Sequence, residues 1–94
     1  MIRVRFAPRS VTLEGHAGYG PRGADIVCAA VSTLVYVQTR LLERQGALAS
    51  YAVAPGRVVL RLSDEADLAV LELGLRWLAG EYPRCVCVEQ QERM

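Results

Sequence analysis

Apolar and polar residues alternate from the start of the chain, and the period of the alternation changes along it. Ile2, Val4 and Phe6 alternate with Arg3 and Arg5, the period of two of a half-buried strand. Ala7-Pro8-Arg9-Ser10 supplies a turn, and Val11 and Leu13 then alternate with Thr12 and Glu14 in a second strand ending at Gly15-His16. Together they predict a hairpin. The pattern breaks at Ala17 to Ala24, where three glycines and a proline make a loop of wide backbone freedom. Asp25 follows in the place of a helix N-cap, where a carboxylate accepts first-turn amides. Ile26 to Glu43 runs without Gly or Pro, and its opening turns, IVCAAVSTLVYV, are apolar on nearly every side. Such a helix is buried on more than one face, centrally in the fold or in part against another subunit.

Gln45-Gly46 ends that helix. Leu48 to Val53 reads as a third strand, Pro55-Gly56 as a turn, and Val58 to Leu62 as a fourth strand. Ser63-Asp64 is predicted to cap a second helix, with acidic residues in its first turn, where they favour the dipole. Leu68, Leu71, Leu75 and Leu78 form its core stripe, and Gly80 with Pro83 stops it. Val86 and Val88 mark a last short strand. The order ββαββαβ over residues 1–94 predicts a single domain of α+β (α/β sandwich-like) class, one mixed sheet with two helices in two or three layers.

Composition narrows the classes of function. With 94 residues the chain builds one core, and 52% hydrophobic against 22% charged residues excludes disorder. A net charge of +1 gives no sequence-independent attraction to nucleic acid, so no direct nucleic-acid partner is expected. No uninterrupted apolar run approaches the roughly 20 residues of a membrane-spanning helix, and MIRVRFAP is not a signal peptide. A cytoplasmic protein without a membrane partner is the expectation. Three cysteines, an odd number, predict free thiols rather than a disulfide framework.

Two chemistries compete for the stretch GHAGYGPRGADIVCAAVS. Gly18-Tyr19-Gly20-Pro21-Arg22-Gly23 fits the G-x-G-x-x-G of a dinucleotide turn. The acidic residue such a turn needs about 20 positions on falls at Glu43, inside the same helix. Asp25 also puts an anion where a phosphate needs bare amides. The cradle is rejected. The other chemistry is a thiol: Cys28 sits in the first turn of the helix, where amides and the positive dipole end favour the thiolate. His16, the chain's only histidine, ends the strand leading into that helix and can exchange a proton near neutral pH. The same helix start offers amides to the oxyanion of an acyl intermediate. Plainer readings stand beside each assignment. Cys28 before Ala29, Ala30 and Val31 also suits a small buried hydrophobe, His16 a loop cap, and Asp25 a helix cap alone. Ser32, one turn beyond Cys28, suits a hydroxyl bonded back to the Cys28 carbonyl. Cys85 and Cys87 share one face of a strand, but two ligands do not close a zinc site. No metal or cofactor is expected.

Gly15-His16-Ala17-Gly18, then Gly23, then Asp25-Ile26-Val27-Cys28-Ala29-Ala30-Val31-Ser32 resembles the signature of the bacterial ribosomal-processing cysteine protease family, Prp. Tyr82-Pro83 resembles that family's C-terminal pattern. The resemblance implies that Cys28 is the nucleophile, His16 its base, and Gly15, Gly18, Asp25 and Ser32 parts of the characteristic site. It implies a peptide substrate, the precursor of large-subunit ribosomal protein twenty-seven, whose N-terminal extension is removed at an apolar or aromatic residue. It further implies a homodimer and a loop hinged at Gly18, Gly20 and Gly23. A first hairpin shorter than in many relatives, and Pro21 stiffening the loop, are departures from the pattern. The expectation is a cysteine endopeptidase with a Cys-His dyad. The alternatives are a non-catalytic peptide-binding ribosome-assembly factor using the same groove, and a thiol redox protein with Cys85 or Cys87 resolving Cys28.

Overall fold

The computed structural model describes residues 1–63 and 66–90. Its elements are β1 (Ile2–Ala7), β2 (Ser10–Glu14), α1 (Ile26–Gln45), β3 (Leu48–Ala54), β4 (Arg57–Leu62), α2 (Ala69–Glu81) and β5 (Val86–Gln90), in the expected ββαββαβ order. The strands form one five-stranded sheet in the order β3-β4-β2-β1-β5. Only the β1–β5 pair is parallel, so the sheet is mixed. The register Phe6↔Val11↔Leu60 sets buried side chains of adjacent strands on one face, and both helices cover that face. The result is a two-layer α/β sandwich. The opposite face is polar, with exposed ion pairs Arg5–Glu89 at 3.8 Å and Arg57–Glu14 at 4.0 Å. Pairs so solvated contribute little to stability.

The core follows the predicted periodicities. Val4, Val11, Leu60, Leu71 and Leu75 are at most 1% exposed, and burying each such side chain favours folding by roughly 1.5–3 kcal/mol. Val27, Val31, Val35 and Leu42 of α1 join them. Gly74 brings the two helices together, because a Cβ there would lie 2.8 Å from Cδ1 of Leu34. α1 is also, by length and composition, long and apolar enough to cross a membrane, contrary to expectation. Its inward stripe instead packs on the sheet and α2. Other apolar side chains of α1 face outward: Ile26, Tyr36, Val37 and Leu41 are all exposed.

Three sequence expectations shift. α2 starts at Ala69, not just after Ser63. Ser63 is tied instead to the end of α1, its amide donating to the Ala47 carbonyl at 2.9 Å and its hydroxyl to Gly46 at 3.4 Å. The predicted cap Asp64 and the first-turn residue Glu65 lie outside the described residues. Gly80 lies inside α2, which runs to Glu81 just before Tyr82-Pro83. Cys85 precedes β5 in a turn and is buried in the core, whereas Cys87 is half-buried opposite Arg3, so the two thiols do not share a strand face.

Candidate active site

The site is assembled where β2 ends and α1 begins. Gly15 leaves β2 with φ +100°, and a Cβ at this position would overlap the Met1 carbonyl oxygen, so only glycine fits. Its amide donates to the Gly56 carbonyl at 2.8 Å, fastening the end of β2 to the β3–β4 turn. His16 follows, exposed, with its imidazole against Gly56. Ala17 turns inward and is buried in the core at 3% exposure, which commits the chain to pass directly beside α1.

Asp25 is the N-cap of α1, as the sequence predicts, and it does more than cap. One carboxylate oxygen, Oδ1, accepts the amides of Val27 and Cys28, both at 3.0 Å. The other, Oδ2, accepts those of Tyr19 at 2.9 Å and Gly20 at 3.1 Å. A single carboxylate thus ties the glycine-rich loop to the first turn of the helix. The Cys28 amide, with help from the Gly20, Tyr19 and Val27 amides and against a desolvation penalty, holds the Asp25 carboxyl below its ordinary range. Tyr19 of the loop also meets Tyr82 edge to face, with ring centroids 5.3 Å apart. Tyr82, noted in the sequence only as part of a pattern, is therefore a support of the loop.

Cys28 is half-buried in the first turn of α1. Its Sγ accepts the backbone N–H of Ala17 at 3.4 Å. This donor was not legible in the sequence, since any residue but proline at position 17 would carry the same amide. Of the helix-start amides expected to serve the sulfur or an oxyanion, those of Val27 and Cys28 are bonded to Asp25.

His16, Cys28 and Ser32 stand together where two cavities adjoin, each lined by all three. One, of about 550 Å³, runs between α1 and the β3–β4 hairpin past Val35, Tyr36, Tyr51 and Val53. The other, of about 530 Å³, runs under the loop past Gly18, Gly20, Gly23, Asp25 and Pro55. Among the described residues no hydrogen bond joins His16 to Cys28, and catalytic contacts of this kind can form only on binding. Ser32 is exposed, and the expected bond from its hydroxyl to the Cys28 carbonyl is not among the hydrogen bonds of α1. Its neighbour Thr33 makes such a bond instead, to Ala29 at 2.8 Å. Ser32 thus lines both cavities with no such back-bond. Of the loop glycines, Gly18 and Gly23 have positive φ, +69° and +86°, while Gly20 does not.

A groove holding a thiol and an imidazole suits acyl transfer from an extended peptide. Comparison with known proteins decides the class. The family model described as Cysteine protease Prp matches residues 1–87. The chain belongs to the Prp family of cysteine proteases. The ribosomal processing cysteine protease Prp of Mycoplasma pneumoniae is 31% identical over 99% of this chain and 98% of the relative. The fold is that of an essential ribosomal processing protease Prp from S. aureus, solved with a covalently linked product peptide. That likeness has a TM-score of 0.81 at 20% identity and covers 96% of this chain and 97% of that one. SMU.848 from Streptococcus mutans is similar at a TM-score of 0.75 and 30% identity, over 99% of this chain and 96% of that one. Membership of the family makes this chain a cysteine endopeptidase of the ribosomal-processing type.

Proposed function

We propose that this endopeptidase removes the N-terminal extension of large-subunit ribosomal protein twenty-seven in the cytoplasm, through a dyad of Cys28 and His16. The supporting observation is that the thiol and the imidazole line the same two cavities on either side of the loop that Asp25 holds. His16 takes the thiol proton as Cys28 Sγ attacks the scissile carbonyl. The imidazolium then returns that proton to the departing amine, leaving a thioester on Cys28. A water molecule deprotonated by His16 hydrolyses the thioester and frees the enzyme. At rest the Ala17 amide supplies the sulfur with a donor. Asp25, committed to four backbone amides, serves as loop and helix anchor and not as a third member of a triad.

The substrate is an extended segment lying along the cavity between α1 and the β3–β4 hairpin, whose lining by Val35, Tyr36, Tyr51 and Val53 suits an apolar or aromatic side chain near the cut. Opening at Gly18, Gly20 and Gly23 admits it. A homodimer would cover the exposed Ile26, Val37 and Leu41 of α1. The test is incubation with the host's own full-length ribosomal protein, followed by mass spectrometry of the new N-terminus. A cut that disappears in Cys28→Ala while binding persists supports the proposal. An intact substrate under the same conditions refutes it.

A further inference from the structure

Gly56 closes the β3–β4 turn with its α-carbon against the imidazole of His16. Its carbonyl accepts the Gly15 amide at 2.8 Å, which fixes the backbone just before the histidine to that turn. A Cβ built on Gly56 would lie 3.1 Å from Nε2 of His16, 3.6 Å from Cε1 and 3.8 Å from Cδ2. Carbon and nitrogen pack comfortably at roughly 3.5–4 Å, so a side chain here cannot be added without something moving. The turn is held by the β3–β4 ladder, where Val53 pairs with Val58 and Ala54 with Arg57, and by the bond to Gly15. His16, by contrast, is an exposed side chain free to rotate. The ring is the part that yields.

We propose that Gly56 is a positioning residue for His16: its bare α-carbon leaves the imidazole the place from which it serves Cys28. This rests on the reading of His16 as the base. It assigns the β3–β4 turn a part in the chemistry although its residues carry no reactive group. Gly56 also has φ +71°, a conformation that L side chains rarely adopt, so the clash must be separated from the strain. Gly46 provides the control, with φ +68° and nothing within 4 Å of an added Cβ.

The experiment compares Gly56→Ala, Gly56→Asn and Gly46→Ala by two readouts. One is the NMR signal and titration of the imidazole, unambiguous because the chain has a single histidine. The other is kcat and KM on the extended ribosomal protein. Asn tolerates the left-handed region and keeps the turn folded if Ala does not, yet it still carries a Cβ. Gly46→Ala is expected to leave the His16 signal in place and kcat within about twofold, while both Gly56 variants move the signal and lower kcat about tenfold with KM little changed. The proposal is overturned if the imidazole signal and titration of folded Gly56→Asn superimpose on those of the wild type. It also falls if Gly46→Ala loses as much kcat as the Gly56 variants. Should the wild type cleave no extended ribosomal protein, the substrate assignment fails on its own, and the NMR comparison still decides Gly56.

Discussion

The two helices begin in opposite ways. α1 opens under a carboxylate that gathers two of its own amides and two from a loop eleven strand-free residues long, Gly15 to Asp25. α2 opens at Leu68, which has no side-chain cap, and among the described residues the Ala69 amide there donates to Oδ1 of Asp67 at 2.8 Å. Yet α2 presents the more regular stripe, with Leu71, Leu75 and Leu78 all buried. Packing alone is enough to place α2, because tertiary burial supplies most of a helix's stability. On the proposed function the start of α1 has a further task, to hold one sulfur beside a loop that admits a peptide. Elaborate backbone satisfaction collects where a position must be exact to well under an ångström, not where the core is deepest.

The sharpest way to break this contrast is Cys28→Ala. Cleavage is expected to fall by at least about 10³-fold, as when the nucleophile of a hydrolase is removed, with the fold intact by circular dichroism and thermal melting. A variant that still cleaved would move the chemistry away from α1. Next comes Leu75→Ala in α2, a residue with 0% exposure; its deletion should cost about 2–5 kcal/mol in urea unfolding. Residual folded enzyme should turn over at the wild-type rate, and a selective loss of kcat would mean that α2 also tunes the site.

Asp25→Ala should have a smaller, mixed effect: kcat/KM lower by about tenfold through a loosened loop, with faster amide exchange at Tyr19 and Gly20. Acid should reproduce it. A carboxyl held below its ordinary 3.8 stabilises the fold above that pH and loses its contribution as pH falls through the lowered folded value. Exchange at those two amides should therefore rise in that acidic window in the wild type and not in Asp25→Ala. The least effect is expected from Asp67→Ala, roughly 0.5–1 kcal/mol in stability for one exposed side-chain bond to a first-turn amide, with activity unchanged. Equal losses of activity from Asp67→Ala and Asp25→Ala would erase the distinction between the two helix starts.

The strands, both helices and the cap at Asp25 were legible in the sequence because each depends on a local period or a local hydrogen bond. Ile2, Val4 and Phe6 can face only one side of a strand, and Leu71, Leu75 and Leu78 only one side of a helix. That His16 and Cys28 come to the same two cavities was legible for the same reason, since a single loop joins them. The late start of α2 was not, because Ser63 is claimed by Gly46 and Ala47, contacts distant in sequence. Nor were the Ala17 amide on the sulfur or the Gly56 turn against the imidazole. The first rests on a backbone donor, which leaves no mark in residue type, and the second on a glycine that reads in the sequence only as part of a turn. Only the pairing of β2 with β4 brings Gly56 to Gly15 and so to His16. The chain alone specified which residue types stand at the end of β2 and the start of α1; how closely they are held was decided by strands that meet across the sheet.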